Sequence, residues 1–534
     1  MLMNNDNWTP LDGYFDRLRN SRNPHERRSI LVGRSHRAGH PVLLDTDLLF
    51  EHMHILGATG GGKTTLGLMT DAIQLIRRRD GAVVIIDGKG DDALFQTVRL
   101  EAERAGRTFK WFTNKPHRST YIFNPFEEKI IRRLTLTDIV SFVTQALNLH
   151  HGSDYGRAWF SMAARMLLKR AVEFSMGTPT WRDPSPRNSL FPKEPIRSFR
   201  QLEPILRDLA SGEEFQAARH LCFIVECLAE FDQMNLSPNH VPNATALAHA
   251  IHMPEVIRDK QVIYFYLVAA TDLVSVGEIG RLALYSLLQA AMAHRDEFGE
   301  TPRAYCLCDE AQTLIAQNIA NVLAQARSHG LACILANQTM SQLNPPGGPD
   351  LRELVMNCMC IKQIFSARDP WLQEYISSQS GITKYFNLSY DQLPEDVLAG
   401  NIGAGLALPD MYGIPRVGVS EFTGPRVTPH EIQAFSRQDN LCLFSIDHSR
   451  GFSRTNGYFP MFVDWPMAAS EYRRRRDKIA WPSVNAATLQ IQPSWPMPNG
   501  ETIVPTSHPE LAPQPGTNKS ADKLRDIRRR LLGD

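Results

Sequence analysis

The chain has 534 residues, 43% of them hydrophobic, and a formal charge of +1. That length is enough for roughly two to four domains, and the balanced charge excludes a global basic field; contact with nucleic acid would need local patches or a pore lining. Eight cysteines occur without a Cys-x-x-Cys pair, which excludes the common zinc spacings. Cys306/Cys308 and Cys358/Cys360 fall in apolar runs where alternation sets both on one strand face, so they read as buried free thiols suited to a reducing cytoplasm.

In chain order, residues 1–27 form a polar segment that is no signal peptide. Residues 28–50 read as short strands separated by turn residues. "HILGATGGGKTTL" follows at 54–66, then a helix through "TTLGLMTDAIQLIRRR" and the β-branched run "AVVIID" ending in Asp87. "RTFKWFT" and "STYIFNPF" read as two further strands, completing a first part at 28–127. From 128 to 255 the periodicity turns helical, as in "LTDIVSFVTQAL" and "GRAWFSMAARMLLKRAVEF", with a five-proline loop at 179–195. Strands return with "QVIYFYLVAA", which is too short to span a bilayer. A helix at 278–295, the strand "AYCLCD", a helix at 313–329, and the strands "LACILANQ" and "CMCIKQIF" continue the alternation. Such alternation predicts an α/β fold with a parallel sheet covered on both faces, its second part at 256–470. A basic, proline-rich tail occupies 471–534. Its stretch 481–520 holds eight prolines and reads as disordered, followed by an amphipathic basic helix at 521–532.

Gly57 to Thr64 match G-x-x-x-x-G-K-[ST], with a strand before and a helix after. Backbone N–H groups at a helix N-terminus favour anions, so Gly57, Ala58, Thr59, Gly60, Gly61, Gly62, Lys63, Thr64 and Thr65 are assigned to nucleotide binding. Lys63 is expected on the β- and γ-phosphates and the Thr64 hydroxyl on Mg²⁺. The motif also needs an acidic strand end. Asp87 is followed by glycine, whereas Asp309 is followed by Glu310. Asp309 is therefore assigned to the metal and Glu310 to the base that accepts a proton from water. Gln338, ending the next strand, is expected to contact the γ-phosphate or the attacking water. Arg327, where the preceding helix runs out, reads either as a finger into a neighbouring subunit's site or as a cation at a helix C-terminus. "TNKP" at 113–116 lacks the aspartate of the guanine-reading motif, so ATP is expected. "RRRR" at 473–476 reads as a solvated helix face or a phosphate-contacting patch.

"HMHILGATGGGKTTL", "VVIIDGKGD", "NPF", "YCLCDEAQTL", "ARSHGLACILANQ" and "RVTPHEIQAFSRQDNLCLFSI" stand in an order that resembles the type IV coupling proteins. These are conjugative DNA-transfer ATPases of the HerA/FtsK superfamily, and the resemblance spans residues 30–465. It implies a RecA-like P-loop core interrupted by an inserted all-α domain, here 128–255, that takes part in recognising the substrate complex. It further implies a homo-hexameric ring around DNA, with relaxosome or secretion-channel proteins as partners. Lys63, Thr64, Asp309, Glu310, Gln338 and Arg327 carry over in the roles given above, while Asp87 and Lys89 match a motif whose role the sequence leaves open. The chain departs from typical members in showing no transmembrane anchor. This predicts a cytoplasmic protein held at the inner membrane only through partners. A HerA-like DNA-processing or defence ATPase working with a nuclease, and an ATP-switched recruitment adaptor, are the alternatives.

Overall fold

The computed structural model describes residues 11–36, 39–115, 118–127, 135–149, 155–175, 196–210, 218–236, 249–268, 273–316, 318–345, 349–390, 417–435, 440–447 and 457–484. Thirteen strands lie among them. In chain order they are β1 (Ser29–Ser35), β2 (Pro41–Asp45), β3 (Met53–Leu56), β4 (Ala82–Asp87), β5 (Phe109–Thr113), β6 (Val262–Tyr266) and β7 (Ala304–Asp309), then β8 (Leu331–Asn337), β9 (Ile361–Ile364), β10 (Ile382–Tyr390), β11 (Val417–Pro425), β12 (Leu441–Ile446) and β13 (Phe459–Phe462). Eleven form one sheet in the order β2-β1-β13-β12-β9-β3-β8-β7-β4-β6-β5.

From β9 to β5 every pairing is parallel. Parallel strands must be covered on both faces, and β4 shows how its continuous apolar run achieves this. Ala82, Val84 and Ile86 point into one core, shared with the helix Leu273–Phe298. Val83 and Ile85 point into the other, under the helices Met69–Arg78 and Asp92–Arg104. The helices Leu136–Ala146, Tyr155–Ser175, Phe199–Leu209 and Arg219–Ala229 lie between β5 and β6 in the chain and pack into the first of these cores.

The sheet is not purely parallel as the alternation predicts. β12, β13, β1 and β2 extend it antiparallel beyond β9. A separate antiparallel ribbon, β10 with β11, lies outside it. "STYIFNPF" forms no strand: Ile122 makes a single bridge to Ala250, and a short 3-10 turn begins at Pro125. The strand in "CMCIKQIF" begins only at Ile361. Cys358 ends the helix Arg352–Cys358, so Cys358 and Cys360 do not share a strand face. Cys306 and Cys308 do share one in β7, both fully buried.

The tail expected from 471 begins as packed structure. The helix Ala469–Asp477 lies against the helix Asp92–Arg104, and Trp481 stacks on Phe95 at 4.3 Å with the Arg118 guanidinium 4.4 Å from its ring. Its four arginines are largely committed locally. Arg474 and Arg475 bond Glu471, Arg475 reaches Glu101 at 3.6 Å, and Arg476 pairs with Asp477. The expected loop at 179–195, the disordered stretch beyond 484 and the basic helix at 521–532 lie outside the described residues. Among the described residues no helix is long and apolar enough to cross a membrane.

Candidate active site

The parallel strands end in register along one edge. Leu56, from which the glycine-rich loop leaves, pairs with Asn337, and Asp309 pairs with both Ala336 and Asp87. The carboxyl ends of β3, β8, β7 and β4 therefore line up the candidate residues side by side, the usual place for a ligand in an open α/β sheet.

The loop is shaped for close approach. Gly62 sits at φ +93, a left-handed conformation that a side chain disfavours. A Cβ on Gly61 would stand 2.9 Å from the Ala58 carbonyl oxygen, so the cradle closes only without one. The following turn is wound as a π-helix over Lys63–Leu68 before the α-helix begins at Met69.

Lys63 is buried and its ammonium donates to Asp309 and, at 3.0 Å, to Glu310. Burial alone would lower its pKa, but the two carboxylates outweigh that and raise it. The Thr64 hydroxyl donates to the second Asp309 oxygen at 2.7 Å. Glu310 adopts φ +54, a strained choice for a non-glycine residue. It is held by its own N–H on Asp309 Oδ1, by Gln312 Nε2 at 2.7 Å and by Gln338 Nε2 at 2.8 Å. Burial pushes its carboxyl up, yet Lys63, Gln312 and Gln338 together hold it below the ordinary range, so it is ionised at neutral pH. Gln338 in turn accepts from the Thr59 hydroxyl at 2.9 Å, joining the phosphate loop to the acidic pair.

Two elements of this arrangement are not evident in the sequence. β8 lies between β3 and β7, and fully buried His54 of β3 bonds Asn337 at its end, fixing the strand terminus that presents Gln338. Burial lowers the His54 pKa to about 4, so the ring is neutral. The signal for this link is a polar Asn closing an otherwise apolar run.

Asp87 has a different task. Its carboxylate accepts the N–H groups of Lys89, Gly90 and Asp91 and the Tyr264 hydroxyl, at 2.6 to 2.9 Å. Four donors saturate it, so "DGKGD" is a turn closed on its own first carboxylate. Burial, with Asp309 beside it, raises its pKa to about 6. Arg327 is not brought to this cluster. It precedes β8 and bonds Glu51 at 2.8 Å ahead of β3, at the opposite end of the strands from Lys63.

The donor set fits a nucleotide with a hard divalent cation: a cradle that excludes side chains, a lysine, and a hydroxyl with a carboxylate on adjacent ends. Among the described residues no group of three or more His, Cys, Asp or Glu side chains is placed to hold a metal ion.

Residues 30–148 match the family model of the helicase HerA central domain, and residues 303–392 match that of the TraM recognition site of TraD and TraG. No curated protein sequence matches the chain. Among solved structures it is similar to the bacterial conjugative coupling protein TrwBdeltaN70 in an unbound form, at 14% identity and TM-score 0.53 over 88% of this chain and 96% of that one. TrwB with the ATP analogue ADPNP gives 14% and 0.54 over 90% and 99%; TrwB with ADP and Mg²⁺ gives 14% and 0.51 over 86% and 94%. The fold is thus a RecA-like P-loop core of mixed α/β type. The chain thus carries matches to the HerA central domain and to the TraM recognition site of TraD and TraG on a fold similar to that of the conjugative coupling protein TrwB.

Proposed function

We propose that the protein hydrolyses ATP and uses the energy to move DNA during conjugative transfer, as a homo-hexameric ring that meets relaxosome or secretion-channel proteins. The observation that carries the reading is the continuous bonded set Lys63, Thr64, Asp309, Glu310, Gln338 and Thr59 at one strand edge. TrwB, with the same fold, binds an ATP analogue and ADP with Mg²⁺, which supports the choice of nucleotide and ion.

In this reading the loop from Gly57 to Thr65 wraps the phosphates, and Lys63 exchanges its two carboxylate partners for phosphate oxygens. Thr64 and Asp309 would hold Mg²⁺, which supplies charge neutralisation to the phosphates when bound. Glu310, ionised and fixed by three neighbours, accepts the proton of the attacking water, and Gln338 orients that water. Arg327 is assigned to the neighbouring subunit's site, since it lies at the far end of its own strands; leaving Glu51 frees it to stabilise charge there. The helical segment 128–255 is taken as the inserted domain that meets the substrate complex.

Displacement of a third strand from a duplex, or of streptavidin from a biotinylated single strand, tests the motor. ATP-dependent displacement by a ring-sized assembly, lost in Lys63→Ala, is the expected result. ATP hydrolysis without displacement on either substrate would overturn the translocase, and displacement that needs an added nuclease would favour the DNA-processing alternative.

A further inference from the structure

The turn that follows Glu310 is tied to the helices between β5 and β6 by one buried side chain. Arg281 lies on the helix Leu273–Phe298 and is 6% exposed. Its Nε donates to the Ala146 carbonyl at 3.0 Å, its Nη1 to the Thr313 carbonyl at 2.9 Å, and its Nη2 to Glu278 at 2.7 Å. Ala146 is the last residue of the helix Leu136–Ala146, so its carbonyl is one that the helix itself leaves unpaired. Thr313 closes the turn on Glu310: its N–H donates to the Glu310 carbonyl at 3.0 Å and its hydroxyl to the same oxygen at 2.9 Å. A bonded path therefore runs from the end of that helix, through a guanidinium, to the strained backbone of Glu310.

The packing leaves this path little slack. A Cβ on Gly277 would meet the Thr313 carbonyl oxygen at 2.9 Å, and one on Gly280 would meet a Leu314 methyl carbon at 2.2 Å. Burying a guanidinium is costly, and three directed acceptors offset the cost only in one geometry. An apolar residue would fill the same space between two helices without that demand. The arrangement instead fixes the distance between a helix end and the Glu310 turn.

We propose that Arg281 is a positioning residue that holds Glu310 in its reactive orientation and couples that orientation to the helix Leu136–Ala146. A partner that displaces the helix end changes the rate of ATP turnover without touching the nucleotide. The inference rests on Glu310 acting in ATP hydrolysis.

The test compares the full-length protein with Arg281→Lys, which keeps the charge but loses the planar fork, and Thr313→Val, which removes the hydroxyl bond and buries no charge. Steady-state kcat is measured beside the Kd of a fluorescent nucleotide, together with hydrogen exchange of the amides at 147–149 and 310–314. The expected result is a fall in kcat of about tenfold or more with Kd within about twofold, the split of a group that acts on the reactive geometry alone. In Arg281→Lys, exchange rises at both segments together. Folded variants with unchanged kcat, or with kcat and Kd altered in parallel, would overturn the proposal. If Arg281→Lys does not fold, Thr313→Val decides by the same kcat-against-Kd criterion. If the unaltered protein hydrolyses no ATP, the ATPase reading fails by itself; the coupling is then judged by exchange, and a response at only one segment overturns it.

Discussion

Gln338 donates its amide to Glu310 across 2.8 Å while its carbonyl oxygen accepts from Thr59 of the phosphate loop. One side chain thus bonds Glu310, the proposed base, and the glycine-rich loop at once. Gln338→Ala cuts both contacts and leaves Lys63 and Thr64 in place. The expected outcome is a fall in kcat of roughly 10- to 100-fold with nucleotide affinity little changed, checked by turnover and equilibrium nucleotide binding.

Asp87 and Asp309 are cross-strand neighbours: Asp87 accepts backbone N–H groups of its own turn, and Asp309 is the proposed metal ligand. Asp309→Asn is expected to abolish Mg²⁺-dependent turnover. Asp87→Asn replaces an acceptor of backbone N–H groups by one that turns a donor toward them. It is expected to cost roughly 1–3 kcal/mol of stability, because buried N–H groups lose their partner. Denaturant unfolding of both variants, read beside turnover, separates the two roles.

Asp71, on the helix after the phosphate loop, is 2% exposed, and burial raises its carboxyl to about 8. A folded pKa above the unfolded value means that the native state holds the proton longer. Stability from this group is therefore level below about pH 4 and declines as pH rises toward 8. Asp71→Asn removes the decline. At pH 8 the variant is expected to be more stable by on the order of 1–3 kcal/mol, with the gain shrinking toward pH 4, as read by unfolding at the two pH values.

The helix Ala469–Asp477 and Trp481 clasp the helix Asp92–Arg104. Trp481→Ala loses a stacked ring and a bond from its indole N–H to the Ser119 carbonyl at 2.8 Å. The expected cost is roughly 2–4 kcal/mol of local stability, visible as faster proteolysis after residue 468. Arg474→Gln, by contrast, is expected to leave the salt dependence of DNA binding unchanged, since that guanidinium is held by Glu471.

The parts that were legible in the sequence are those written in adjacent residues. The glycine loop, Asp309 with Glu310, and Gln338 at a strand end each depend on a few neighbouring positions, and periodicity alone exposed the alternation of strand and helix. Other features depend on pairings between distant segments, which no local pattern encodes. β1 meets β13 across more than 400 positions, and the Arg281 contacts join three separate stretches. "STYIFNPF" reads as a strand by composition, yet among the described residues it makes an isolated bridge at Ile122 in place of a strand, so tertiary context overrides propensity there. The Asp87 turn shows a third case: the motif was visible, but its meaning appears only when the four donors are seen around one carboxylate.

Steady-state ATP turnover of the purified protein, with Mg²⁺ and with or without single- or double-stranded DNA, beside Glu310→Gln and Lys63→Ala, is the most direct test of the site. The account predicts hydrolysis that rises with DNA and requires Mg²⁺. It also predicts that Glu310→Gln binds nucleotide normally while turning over at least about 100-fold more slowly, and that Lys63→Ala loses binding and turnover together. Glu310→Gln hydrolysing at the parent rate, or an intact protein that hydrolyses nothing under any of these conditions, would contradict it.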